Sequence, residues 1–345
     1  MNREALKQKH HMLRDKILNK ETGLIFYSLT PPKINTEFEK VKEIAKKQVD
    51  RLKDLSIDGL LLYDIQDESS RTEKERTFAF SPTITPEHYS REYLADLNAP
   101  KIIYKSIGNL TKDQFVDWAK SNQDLEFAVF VGASSNQQLL ATNFSLNDAY
   151  ETKNNHLASL LVGGVTIPER HTKKRDEHLR LFNKADKGCS FFVSQCVYSI
   201  NDTKDLMSDF YFSAMETGKE LSPIIFTLAP CGSLKTLQFM EWLGIEVPKW
   251  LYNDLKHSKN ILTASVHTCK NIAMEIMEYA SIKKIPIGFN IESVSIKKDE
   301  IEAANELLID VLRLSKTYLQ DNNQIVKPIH SAKSGIITAD SEVNQ

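Results

Sequence analysis

In the segment "KADKGCSFFVSQCVYS", residues 184–199, a helix-like stretch ends at Gly188 and an apolar run, Phe191-Phe192-Val193, follows. Gln195 then stands where another apolar residue would extend a buried strand. An amide both donates and accepts hydrogen bonds. At a strand end it can read a ligand edge that offers both functions, or be satisfied by neighbouring backbone, and the residues alone leave both readings open. "IPIGFNIES" (285–293) ends in Asn290 and Glu292, two apart and so on one face of a strand, with Ile291 on the other. A carboxyl there, shielded from water, could hold a raised pKa and deliver a proton near neutral pH. "YDIQDESSRTEKER" (63–76) places Asp64, Gln66, Asp67 and Glu68 after a further apolar run, with Glu73 to Arg76 expected as a solvated loop. "PERHTKKRDEH" (168–178) carries His171 and His178 seven apart with no third ligand fixed by the sequence, a pattern common by chance, and no metal is expected. Cys231, in "APCGS", has only Lys235 as a basic neighbour and reads as an ordinary thiol.

The elements that must position these residues are short apolar runs at 23–29, 58–65, 100–106, 126–134, 157–165, 190–199, 222–230 and 285–293. Charged, helix-period stretches such as 35–55, 111–121, 172–187, 234–243 and 263–283 lie between them. Continuous apolar strands alternating with helices argue for a parallel sheet covered by helices. Eight such units predict a closed (β/α)8 barrel, a TIM barrel, with an N-terminal helix. A doubly wound open sheet is the competitor, but no GxGxxG follows the first strand and no GxxxxGK[ST] occurs. One barrel domain is expected over 1–323, with a polar tail over 324–345. Barrel sites sit at the carboxyl ends of the strands. That rule selects Ser28 and Thr30; Asp64, Gln66 and Asp67; Gly132, Ala133, Ser134 and Ser135; Glu169 and His171; Gln195 and Tyr198; Cys231 to Ser233; and Asn290 with Glu292.

Composition narrows the class. The chain has 345 residues, 41% apolar and 26% charged, with a net charge of −2, which gives no electrostatic case for nucleic acid or an anionic membrane surface. No apolar run approaches the roughly 18–20 residues that span a bilayer. The N-terminus has no apolar core after its charges, so no secretory signal is expected, and the four cysteines show no ligand spacing. A cytoplasmic protein with reduced thiols is the expectation.

Three stretches together resemble the methylenetetrahydrofolate reductase family. "KADKGCSFFVSQCVYS" is similar to that family's Lys-x-Asp-x-Gly-(x)6-Gln segment. "PIIFTLAPCGSLKTLQFMEWLGIEVPKWL" (223–251) is similar to its seventh strand, Pro-x-x-Ser loop and following Pro-x-Trp. "YSLTPPK" (27–33) matches the Pro-Pro-basic end of its first strand. The resemblance runs from about residue 20 to about residue 320. It implies a (β/α)8 barrel with FAD at the strand ends and hydride transfer from NAD(P)H, through the flavin, to methylenetetrahydrofolate, yielding methyltetrahydrofolate for methionine biosynthesis.

Carried over residue by residue, the resemblance implies that Gln195 touches the pterin and Lys184 lies near the flavin phosphates. Glu177 falls toward ribityl or ribose hydroxyls, and Leu234 where many members place a phenylalanine near substrate. Gln66 and Tyr198 are further candidates for substrate contact. Gly132, Ala133, Ser134, Glu169 and His171 are candidates around the cofactor. Two departures stand out. The family's general-acid glutamate on the first strand is Ser28 here, and its Gly-Asp after strand four is Gly132-Ala133. Glu292, with Asp64 second, is the expected replacement acid. Alternatives are a flavin-free reductase with direct nicotinamide-to-folate transfer, and a barrel that binds folate or flavin without catalysis. A homo-oligomer is left open.

Overall fold

The computed structural model describes residues 3–68, 73, 75–133 and 136–325. Eight parallel strands close into a barrel in chain order: β1 (Leu24–Leu29), β2 (Gly59–Tyr63), β3 (Lys101–Ser106), β4 (Phe127–Val131), β5 (Leu161–Thr166), β6 (Cys189–Cys196), β7 (Ile224–Leu228) and β8 (Ile287–Ile291). The helices are α1 (Arg3–Leu18), α2 (Phe38–Leu52), α3 (Pro86–Glu92), α4 (Lys112–Ser121), α5 (Asn136–Thr142), α6 (Leu146–His156), α7 (Pro168–Lys174), α8 (Glu177–Asp186), α9 (Ile200–Thr217), α10 (Leu234–Trp242), α11 (Lys249–His257), α12 (Ile261–Lys283) and α13 (Lys298–Ile325). The fold is a (β/α)8 TIM barrel with an N-terminal helix. The expected tail begins later than 324, because α13 runs to Ile325; the rest of it lies outside the described residues.

Strand alternation sorts the side chains into two cores. Leu24, Phe26, Leu61, Ile102, Phe127, Val129, Leu161, Phe191, Val193 and Ile225 fill the barrel interior. Their sequence neighbours, such as Ile25, Leu60, Ile103, Phe130, Phe192 and Phe226, pack outward against the helices. Each buried apolar side chain contributes about 1.5–3 kcal/mol relative to exposure. Two glycines let the backbone and rings come close enough. A Cβ at Gly163 would stand 2.7 Å from the Phe191 ring, and one at Gly288 only 2.3 Å from the Leu24 carbonyl oxygen. Helix α1 lays Leu13 and Ile17 onto this interior and closes its N-terminal end.

The helical stretch expected over 172–187 is broken. Arg175 takes a left-handed conformation (φ 55°), its N–H bonding the His171 carbonyl, so that α7 stops and α8 starts two residues on with Glu177 turned into the protein. All four cysteines are buried and free, and burial pushes the Cys231 thiol up to about 11, in keeping with a structural group. Among the described residues no helix is long and apolar enough to cross a membrane.

Candidate functional site

The polar layer of the barrel begins one step above the Phe26 level. On β1 the inward position after Phe26 is Ser28; β8 pairs with β1 and β7, and its inward position there is Asn290. Asn290 is fully buried, and its three neighbours hold it: Ser28 Oγ donates to Oδ1 (2.6 Å), while Nδ2 donates to Thr227 Oγ1 (3.2 Å) and reaches Tyr63 Oη (3.4 Å). Thr227 is fixed in turn, its N–H bonding Ser194 Oγ and its hydroxyl the Ser194 carbonyl.

Glu292 is the next inward position on β8. Its N–H bonds the Leu228 carbonyl, and its carboxylate accepts from the Tyr63 hydroxyl. Burial raises the Glu292 carboxyl to about 7, opposed by the Tyr63 hydrogen bond. The Tyr63 ring meets Tyr104 edge-on, with centroids 4.9 Å apart. Ser28, Tyr63, Asn290 and Glu292 thus form one hydrogen-bonded set across β1, β2 and β8, facing the mouth.

Asp64 does not join that set. It follows Tyr63 and so points to the opposite face, where it pairs with Lys105 (3.1 Å) and accepts the Ser106 N–H. Lys105 also reaches the buried Glu87 (3.5 Å). Gln66 belongs to the same outer network, donating to Asp64 (2.9 Å) and accepting from Asn109 (3.1 Å). Tyr198 is likewise turned away from the mouth. It lies beyond the end of β6, where strand parity no longer holds, and its hydroxyl is used by the Ala229 carbonyl (2.8 Å) and Ser265 (2.9 Å) behind β7.

Gln195, inward on β6 past Val193, stays at the mouth half-buried. Its amide nitrogen donates to the Leu243 carbonyl (2.8 Å) after α10. Leu234, at the start of the same helix, is 38% exposed on the rim. Gly132 and Ala133 end β4 half-buried without polar side chains, and Ser134 and Ser135 lie outside the described residues. Arg76, expected in a solvated loop, instead stacks over Trp242 (4.8 Å) and Phe239 (5.6 Å) of α10. No local pattern could reveal this contact, because it joins segments far apart in sequence.

The β5–β6 side holds the residues expected around FAD, and they are turned to other uses. The Lys184 ammonium donates to the Val165 carbonyl, and desolvation lowers its pKa. Glu177 is fully buried and accepts from Thr166 Oγ1 (3.2 Å), Ile167 N (3.0 Å) and Arg170 (3.2 Å), with Arg180 Nε at 3.6 Å. His171 is buried against Asp209 (3.0 Å). Glu169 is buried with neither oxygen met by another residue; burial, reinforced by the charges of Asp202 and Glu246, raises it to about 8. A diphosphate cradle needs donors facing the ligand. Lys184 and Glu177, engaged inside the protein, do not fit FAD in that role. A shallow cleft of about 360 Å³ lies at the other end of the barrel, between Lys16, Asp58 and Leu312, and contains none of the expected site residues.

Fold and mouth together define a (β/α)8 barrel with a hydrogen-bonded polar cluster at the carboxyl ends of β1, β2 and β8. No protein-family model matches the chain, and a comparison with curated proteins finds no match. Among solved structures it is similar to an uncharacterized protein from Clostridium thermocellum that binds two copies of 5-methyl-5,6,7,8-tetrahydrofolic acid. The two are 47% identical over 88% of this chain and 99% of that one, with a TM-score of 0.77. The chain belongs to the same family as that clostridial protein. More distant likenesses, to a GH113 β-1,4-mannanase (15% identity, 86% and 98% of the two chains, TM-score 0.47) and to 2,3-dimethylmalate lyase (12%, 92% and 99%, TM-score 0.41), say nothing of its chemistry.

Proposed function

We propose that this barrel binds a reduced folate at its mouth and converts 5,10-methylenetetrahydrofolate to 5-methyltetrahydrofolate, with a nicotinamide giving its hydride directly to the folate. The observation that carries this reading is Glu292. It is a carboxyl raised to about 7 by burial, anchored by Tyr63, and open to the mouth of a barrel whose 47%-identical relative binds 5-methyltetrahydrofolic acid.

Opening the five-membered ring needs a proton on N10 as the N10–CH2 bond breaks, leaving an iminium at N5. Glu292 supplies that proton, as the family's first-strand glutamate would where Ser28 now stands. The hydride then adds to the methylene carbon, so that NAD(P)H and one proton are consumed for each methyl group formed. Asn290, fixed by Ser28 and Thr227, holds the floor beneath the reacting carbon. Gln195 and Leu234 flank the opposite rim, where an amide suits the pterin edge and an apolar side chain the aminobenzoyl ring. The engagement of Lys184 and Glu177 within the protein supports transfer without a flavin.

The same engagement, with Ser28 in place of a carboxylic acid, also favours a second reading: a barrel that holds methyltetrahydrofolate without turning it over. Two measurements separate them. Calorimetric titration with 5-methyltetrahydrofolate is expected to show saturable binding. NAD(P)H oxidation is expected to depend on added methylenetetrahydrofolate and to need no added flavin. Binding without oxidation selects the second reading, and absence of binding rejects both.

A further inference from the structure

Three helices on the outside of the barrel, α7, α8 and α9, pack against one another. His171 on α7, His178 on α8 and Asp209 on α9 each offer one ligand atom, and these atoms lie within 4.8 Å of one another. Tetrahedral zinc, with ligand bonds of about 2.0–2.1 Å, sets its donor atoms about 3.3 Å apart. His171 Nε2 and Asp209 Oδ2 already stand at 3.0 Å. The two imidazoles meet edge-to-face with centroids 5.2 Å apart. His178 and Asp209 are partly exposed, so a small side-chain rotation closes the third side.

An independent observation marks the cluster as incomplete. His171 is 1% exposed, and its Nδ1 and that of His178 are both buried without a hydrogen-bond partner. Buried polar atoms are nearly always partnered. Asp176, two residues before His178, adds a buried carboxylate oxygen, Oδ1, with no partner. Ring nitrogens left over beside two carboxylates are what a borderline divalent cation satisfies, and ligating histidines commonly pass their other ring nitrogen to such a carboxylate. The alternative is a plain His171–Asp209 hydrogen bond, which uses one nitrogen and leaves the others unexplained.

We propose that His171, His178 and Asp209 form a binding site for a single zinc-class divalent cation that clamps α7, α8 and α9 together, with Asp176 as a supporting carboxylate. The cation displaces the proton between His171 and Asp209, takes a nitrogen of His178, and leaves a fourth position to water. Its role is structural. Because α7 follows β5 directly, the clamp fixes the segment that carries Glu169.

The test uses the untagged full chain, stripped with a chelator and dialysed, then titrated with Zn2+ by calorimetry and with Co2+ by visible absorption. One Zn2+ per chain, a rise in melting temperature on binding, and tetrahedral-type Co2+ bands are expected. His178→Ala and Asp209→Asn, both at partly exposed positions, are each expected to weaken Zn2+ at least about tenfold. In metal-free buffer both should melt near the stripped wild type. The proposal is overturned if the wild type takes up no stoichiometric Zn2+, or if both variants bind it as the wild type does.

Discussion

On the β8–β1–β2 side of the mouth Glu292 is half-buried against one hydroxyl, that of Tyr63; on the β5–β6 side Glu177 is buried against Thr166, the Ile167 N–H, Arg170 and Arg180. Both are inward carboxylates near strand ends. Glu292 keeps lone pairs and a proton for whatever enters the mouth, whereas Glu177 has spent its acceptors on the loop between β5 and α8. The difference shows that burial alone does not make a carboxylate reactive. What matters is whether the protein or the ligand completes its hydrogen bonds.

The largest effect expected from breaking this contrast is at Glu292. Glu292→Gln keeps the shape and the Tyr63 contact but removes the titrating proton, so turnover should fall by ~100-fold or more with folate affinity retained. The wild-type rate should decline as pH rises through about 7, where the acid form is lost, and a rate profile of both proteins checks this. Near-normal turnover in the variant would remove Glu292 from the chemistry.

Glu177→Ala should act on the fold instead. It strands the Ile167 N–H and two guanidinium groups at a cost of about 3 kcal/mol, measured by urea unfolding. Folate affinity in the remaining folded protein should be unchanged. A loss of affinity without a loss of stability would return Glu177 to the ligand site.

Glu169 sharpens the comparison, because it is buried with neither carboxylate oxygen met by another residue. Its folded pKa of about 8 lies above the unfolded value of 4.5, so the folded chain keeps a proton that the unfolded chain has released. Stability from this group is full below about 4.5 and is lost as pH rises to about 8, at about 1.4 kcal/mol per pH unit. Glu169→Gln removes the dependence. The variant should match the wild type near pH 4.5 and exceed it increasingly toward pH 8 in thermal melts; parallel curves would show that the group is solvated.

The smallest effect is at Gln195. Gln195→Ala should weaken folate about tenfold, equivalent to about 1.4 kcal/mol, while the half-buried Leu243 carbonyl it abandons can take up water. A large drop in melting temperature with unaltered affinity would make the amide purely structural.

All eight strands could be read from the sequence because a parallel barrel strand is apolar on both faces and stands out as an unbroken run. Period-two alternation also placed Asn290 and Glu292 on one inward face. The same rule puts Asp64, which follows the inward Tyr63, on the outward face; its distance from the strand end alone does not reveal this. Tyr198 lies past the last paired residue of β6, where alternation gives no guidance. The directions of Lys184 and Glu177 depend on the break at Arg175, a left-handed residue without a glycine to signal it. Asp209 completes the histidine pair from another helix, and Arg76 finds Trp242 across the barrel; both are contacts between distant segments.

Helix α1 covers the N-terminal end of the barrel: Leu13 and Ile17 belong to one apolar cluster with Leu24, Phe127 and Leu161, which extends to Phe26 and Val193. That apolar column separates Glu292 from the N-terminal end of the barrel. On the proposed reading, solvent reaches the carboxyl from the mouth, and a bound folate covers the proton it is to receive. If that reading holds, recharging follows release of the methylated product, so that one proton is loaded for each ligand admitted.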